Sequence, residues 1–340
     1  MTALRAKAAE KFRARGVPHR RVEAWKYSDL KSIIDTDHVA SAAAAHWTIE
    51  SEGVEPIDFR GDAFAGALGE ASLAFAEAGF GFRAAKEGTV RVHFPTPGQA
   101  RVRLVVPPGA KLDYVETADG DGFQNIGVDV SVGEGAVFTH VRIARKGRGA
   151  RVEDISATVA KGGAYRLHAA NFGSELSRLE LKIALTGEGA GAHLSGVSVL
   201  DHAHADVTTH IVHACGDTQS TQLFKHVAQG KSRAVYQGKI TVAEGADGSD
   251  SRQTAKALLL DERAEADLKP ELEIFADDVK CAHGAAVGDL DADSLFYLRA
   301  RGVPEDEARG LLIRAFLYEA FEGVREDLRA LLSATVEEAL

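Results

Sequence analysis

From about Gly88 onward the chain alternates apolar and polar residues with a period of two. TVRVHF, ARVRLVV, NIGVDVSV, RLELKIAL and GKITVA are short alternating or apolar runs bounded by glycine. Each reads as a β-strand. No helical pattern of ten residues interrupts them before Val287, so a fold with helices between parallel strands is excluded. A glycine turn recurs at Gly109, Gly135, Gly163, Gly189, Gly216 and Gly245, at intervals of 26, 28, 26, 27 and 29 residues. Turns spaced this regularly predict a solenoid with one coil per interval. The alternative, an antiparallel sandwich, places its turns about every 8–12 residues.

Helical periodicity marks the two ends. Ala3, Leu4, Ala8, Ala9 and Phe12 predict a helix within residues 2–35, stopped by Gly16 and Pro18. A second helix is expected over Ser28–Ile34, with Ser28 as N-cap. Asp35–Ser51 reads as an alanine-rich linker, and a short helix is expected over Ala71–Ala78. After the strands, Asp291 caps a helix carrying Leu295, Phe296 and Leu298. Pro304 opens the next, with Glu305, Asp306 and Glu307 at its positive end. Leu311, Leu312, Ala315 and Phe316 give that helix an apolar stripe, Gly323 ends it, and a last helix runs from Val324 to Glu338. The expected organisation is therefore 1–87 helical region and linker, 88–290 strand solenoid, 291–340 helical domain. The helices then serve the solenoid's exposed ends as caps or as docking elements.

The composition supports a packed core, with 45% hydrophobic residues in 340. A formal charge of -10 argues against nucleic acid as partner. No window reaches the ~18 apolar residues of a membrane span, the N-terminus has no apolar signal segment, and two cysteines make no disulfide framework. The cytoplasm is the expected compartment. No nucleotide-binding glycine loop, nucleophile elbow or zinc-protease motif occurs, so an energy-coupled role needs a separate ATPase.

Two clusters carry candidate chemistry. Cys281 and His283 form a Cys-x-His pair whose donors suit a soft or borderline metal; the alternative is a buried thiol beside a satisfied histidine. Histidines also crowd between His193 and His226. Gly196-x5-His202-x-His204 copies half of a cupin metal motif, but Val207, Thr208 and Thr209 stand where its Glu belongs. A metalloenzyme using His202, His204 and His210 is thus set against a histidine ladder on a solvated strand face. Cys215, at an expected turn, reads as structural.

Three passages resemble the SufB/SufD family of iron–sulfur cluster assembly proteins. They are VEAWKYSDL (22–30), HADVTTHIVHACGDTQSTQLFK (204–225) and KPELEIFADDVKCAHGAAVGDLDADSLFYLRARGV (269–303). The KCAHGA wording is similar to the SufD branch. The resemblance covers most of 20–322, but little of 36–87. It implies a right-handed parallel β-helix with helical segments flanking it in sequence, and a scaffold rather than an enzyme. It implies pairing with a SufB-like subunit through the β-helix. A SufC-like ATPase would dock within 303–321, on Leu311, Leu312 and Phe316, and the isolated chain is open to homodimerisation. The family's assembly-site histidine falls on His283 and its cysteine on Cys281. No tightly bound cofactor is then expected on this chain alone, only transient iron or cluster at the SufB-like interface. Ala282 and Ala286 replace the usual Ser and Thr, removing two hydroxyls that would orient His283.

Overall fold

A computed structural model describes residues 3–119 and 121–340; Thr2, where the sequence pattern starts the first helix, lies outside the described residues. That helix, α1, spans Ala3–Arg15, and Gly16 leaves it at φ +74°. The helix expected over Ser28–Ile34 does not form. The segment instead makes 3₁₀ turns at Glu23–Trp25 and Leu30–Ser32, because its side chains are committed to long-range contacts described below. The expected linker contains α2 (Thr36–Ser41), capped by Asp35, and then the first strand, β1 (Thr48–Pro56). Helix α3 (Ala67–Phe75) begins four residues before the expected position.

Strand β2 (Gly79–Phe94) starts nine residues earlier than the alternation at Gly88 suggests, and organises everything that follows. Its first half pairs in parallel with β3 (Gly98–Val106), and its second half with β4 (Lys111–Ala118). From there the chain winds through β5 (Gln124–Val132), β6 (Val137–Ala144), β7 (Ala150–Val159), β8 (Ala164–Asn171), β9 (Leu176–Leu185) and β10 (Gly191–Asp201). It continues through β11 (His204–His213), β12 (Gln219–Gln229), β13 (Arg233–Val242), β14 (Asp250–Leu259), β15 (Glu265–Ile274) and β16 (Lys280–Gly288). Odd strands from β3 stack on one side, even strands from β4 on the other, always in parallel register. This is the expected parallel β-solenoid.

The turn signal lies in backbone conformation rather than in glycine itself. The left-handed residues are Gly109, Gly135, Gly162, Gly189, Asp217 and Gly245, spaced 26, 27, 27, 28 and 28 residues apart. At two turns this is one residue away from the glycine that sequence reading selects (Gly163, Gly216). At the fifth an aspartate takes the strained position, which Asp tolerates better than most residues.

Inward-facing residues such as Val102, Leu104, Val128, Val130, Leu181 and Ile183 form the main core. The outward faces are apolar too, and this decides where the helices go. Val115, Val141, Ile143, Val197 and Val227 point out of the even sheet, against Leu317, Phe321, Leu328, Leu332 and Val336. These belong to α5 (Glu305–Tyr318), the short turn after it, and α6 (Glu326–Glu337). On the odd side, Val152 and Leu176 lie against Phe12, Trp25, Leu30 and Leu68 of the N-terminal region. The helices therefore cover the two faces of the solenoid, not its ends. At the first coil, β1 closes β2 by antiparallel pairing. At the last coil β15 pairs only with β13, and β16 only with β14, so their outer edges are open.

Candidate functional site at the open end of the solenoid

Strand β16 carries Cys281 opposite Ser251 and His283 opposite Gln253. Both therefore occupy inward-facing columns. Because no coil follows, the inward direction opens at the solenoid's tip. Cys281 is half-buried against the main core. Burial, with Asp250 adding to it, raises its thiol pKa, while an N–H from Ser251 acts the other way. The group is thus held as a thiol until a metal or cation arrives to favour thiolate. His283 is exposed. Among the described residues, no third His, Cys, Asp or Glu joins the pair within ligand reach.

The columns beneath the pair are polar. Under Cys281, Ser251 and Ser220 are bonded at 2.7 Å, and Ser220 meets His213 Nε2 at 2.9 Å. Under His283, Gln253 donates to the Tyr236 hydroxyl at 2.7 Å. Tyr236 and Thr209 in turn donate to Gln222 Oε1 at 3.1 and 2.7 Å. The alternating pattern gave no signal that this end of the core is polar.

The same end of the molecule gathers exposed apolar side chains. Ile274, Phe275 and Val287 lie on or beside the last two strands. Phe296 and Tyr297 lie on α4 (Ala292–Ala300), which Asp291 caps and which buries none of its residues. Unpaired strand edges beside large exposed hydrophobics mark an interaction surface. Of the three expected docking residues, Leu311 is exposed and Leu312 half-buried. Phe316 is already occupied: its ring lies under Lys225 Nζ at 4.4 Å, and it packs on the even-face core.

The other two motif passages prove to be clamps. Arg178 is fully buried beneath the Trp25 ring at 4.2 Å. It donates to Asp206 at 2.5 Å, to Glu180 at 3.2 Å and to the Ala24 carbonyl at 2.9 Å. Ser28, read from sequence as a helix cap, donates to Asp206 at 2.5 Å and meets His204 Nε2 at 3.2 Å. So the Trp25–Ser28 passage and the His204–Asp206 passage form one buried anchor for the N-terminal segment. Lys225, from the same middle passage, does the equivalent on the opposite face: its buried ammonium holds the Phe316 carbonyl at 2.7 Å and the Glu319 carboxylate.

The His202/His204/His210 metal site is not formed. His202 sits in the turn between β10 and β11 at φ +52°, on Asp201 at 2.7 Å. It therefore cannot share a strand face with His204. His210 bonds Thr241 at 3.0 Å. Desolvation lowers the pKa of His204 and of His210 to about 4. The alternative, a histidine ladder on a solvated face, holds only in part: His193, His204, His210 and His213 meet Ser or Thr hydroxyls, but His213 and His226 are buried and His226 has no hydrogen-bond partner. Cys215 donates to the Thr186 carbonyl at 3.1 Å. Among the described residues no helix is long and apolar enough to cross a membrane.

Residues 92–316 match the family described as "SUF system FeS cluster assembly, SufBD core domain", and residues 1–54 match "SufBD protein N-terminal region". The chain is 37% identical over 161 residues to the iron–sulfur cluster assembly protein SufD of Escherichia coli (strain K12), covering 47% of this chain and 38% of that protein. It is 33% identical over 208 residues to a SufBD family protein of Synechocystis, covering 59% and 45%. A SufBD family protein of Mycobacterium leprae is 30% identical over 239 residues, covering 67% and 27%. The chain thus spans less than half the length of each of these relatives.

Proposed function

Because this chain belongs to the SufBD family of iron–sulfur cluster assembly proteins, we propose that it is a non-catalytic scaffold subunit whose open end completes a cluster-assembly site with a second, SufB-like solenoid. The observation that carries this reading is the coincidence at one end of three features. They are the unpaired edges of β15 and β16, the exposed Phe275, Val287 and Phe296, and the incomplete donor pair Cys281–His283. A partner strand laid on such an edge satisfies its backbone groups and covers the apolar side chains. It also supplies the ligands the pair lacks. A thiolate and a neutral imidazole suit iron and sulfide. Iron and cluster are cargo here, held transiently at the interface. The working compartment is the reducing cytoplasm, where Cys281 remains a thiol.

The energy source is proposed to be a SufC-like ATPase docked on the C-terminal helices. Leu311 and the bare α4 offer its surface, while Phe316 and Lys225 transmit its pull to the solenoid. Hydrolysis there would shift the two scaffolds and expose the assembly site.

Co-expression with a SufB-like subunit and a SufC-like ATPase, followed by affinity purification and mass determination, tests the reading. A ternary complex is expected from the intact chain. Truncation after Gly302 should lose the ATPase, and Phe275→Glu should lose the SufB-like subunit. His283→Ala should retain both partners while cluster assembly in cells falls. Full cluster assembly with His283→Ala removes the ligand role, and failure to co-purify with the SufB-like subunit removes the scaffold pairing.

A further inference from the structure

The solenoid's interior contains a second donor cluster, far from Cys281 and His283. Glu116 on β4, His140 on β6 and Glu153 on β7 point inward from both sheets. All three are buried, and one ligand atom from each lies within 4.8 Å of the other two. Their remaining polar atoms are separately held. Tyr114 donates its hydroxyl to Glu116 Oε2 at 3.0 Å, Tyr165 meets His140 Nδ1 at 3.1 Å, and Arg142 Nε holds Glu153 Oε2. That leaves Glu116 Oε1, His140 Nε2 and Glu153 Oε1 as the atoms these contacts do not hold. His140 Nε2 and Glu153 Oε1 have no hydrogen-bond partner although both are buried. Glu116 Oε1 lies 3.5 Å from His140 Nε2 and 3.7 Å from Arg142 Nε, both long for a strong bond, and the Glu116 carboxyl also neighbours that of Glu153.

We infer that Glu116, His140 and Glu153 form a binding site for a first-row divalent metal ion inside the solenoid, distinct from the Cys281–His283 pair at its open end. One imidazole nitrogen with two carboxylate oxygens is a donor set for Zn²⁺, Fe²⁺ or Mn²⁺. The outer contacts are those a metal site requires. With Nδ1–H donated to the Tyr165 hydroxyl the Nε2 lone pair is free for the ion, and a donor on each far carboxylate oxygen fixes the near one. Arg142 offsets one carboxylate charge, but His140 Nε2 and Glu153 Oε1 stay buried without partners, and such atoms lose the bonds water would give them.

Cobalt supplied during expression is the probe, since its visible absorption reports coordination. After chelator treatment and desalting at pH 8, about one equivalent of Co²⁺ per chain is expected to remain. The Cys281→Ala/His283→Ala double variant should hold the same amount. His140→Gln, Glu116→Gln and Glu153→Gln should each hold at least tenfold less, with unchanged far-UV circular dichroism. The three variants guard against one failing to fold. No retained Co²⁺ in the intact chain overturns the site, as does equal retention in the folded His140→Gln and Glu153→Gln variants. Loss only in the Cys281/His283 double reassigns the metal to the open end.

Discussion

Arg178 carries a charge with no exposed side-chain surface, and it survives there because Asp206, Glu180, the Ala24 carbonyl and the Trp25 ring surround it. Removing the guanidinium leaves Asp206 and Glu180 as buried uncompensated charge. Arg178→Leu is therefore expected to cost about 3–5 kcal/mol in urea denaturation. Trp25→Ala removes the lid, deletes a large buried ring, and should cost about 3–5 kcal/mol. A cost under about 1 kcal/mol for either would mean the N-terminal segment is not anchored by this contact. Ser28 shows why local reading failed here. A serine before an apolar run is a sound cap signal, but its partner Asp206 lies 178 positions away, and nothing in the neighbouring sequence encodes that.

The repeating coil turns are backbone devices. Gly135 and Gly245 sit at φ +60° and +76°, with nothing within 4 Å of the position a Cβ would take. Gly135→Ala and Gly245→Ala thus isolate conformational cost from steric clash, and each should lose about 1 kcal/mol. Asp217 already tolerates the same conformation, so Asp217→Gly should be nearly neutral. The period of these turns made the solenoid legible, because each coil must return the chain to the same register. The strand alternation was legible for the same reason, with one side of every strand facing a closed core. Strand β1 was not legible. Only Ile49 and Val54 are half-buried against the core and the rest is exposed, so TIESEGVEP carries no alternation and looks like loop. The Glu116–His140–Glu153 cluster was equally hidden: its members come from three separate coils, and only the stacking register brings them together. Of the proposed assembly site, Cys281 and His283 could be picked out in sequence. The open edge around them could not, since strand patterns do not say which coil is last. At the C-terminal end, Lys225 joins a solenoid strand to α5. Lys225→Met should leave the solenoid intact but speed proteolysis within 305–340 several-fold, and unchanged cleavage would assign the anchoring to the apolar face alone.

At the scale of the whole molecule, the histidines and two carboxyls set opposing pH dependences. Desolvation lowers His140, His168, His204, His210, His213 and His226 to about 4. Each favours the neutral form in the folded chain, so its stability is full above the unfolded value near 6.5 and drains as pH falls toward 4. Burial acts oppositely on the acids, raising Glu153 to about 8 and Asp154 to about 7. Their stability is full below the unfolded carboxyl value and drains as pH rises through 7 and 8. Between about pH 4.5 and 6.5 six imidazoles oppose two carboxyls, and stability rises with pH. Above 6.5 the histidines have finished and the carboxyls alone set the slope, which turns negative. Urea midpoints for the metal-free chain should therefore peak near pH 6.5 and decline by pH 8.5. Glu153→Gln removes the larger raised acid and should flatten the alkaline limb while steepening the acid limb, where one opposing carboxyl is gone. A midpoint that climbs steadily to pH 8.5 would mean that Glu153 and Asp154 are ionised in the folded solenoid at ordinary pH, with Arg142 and Arg101 carrying their compensation.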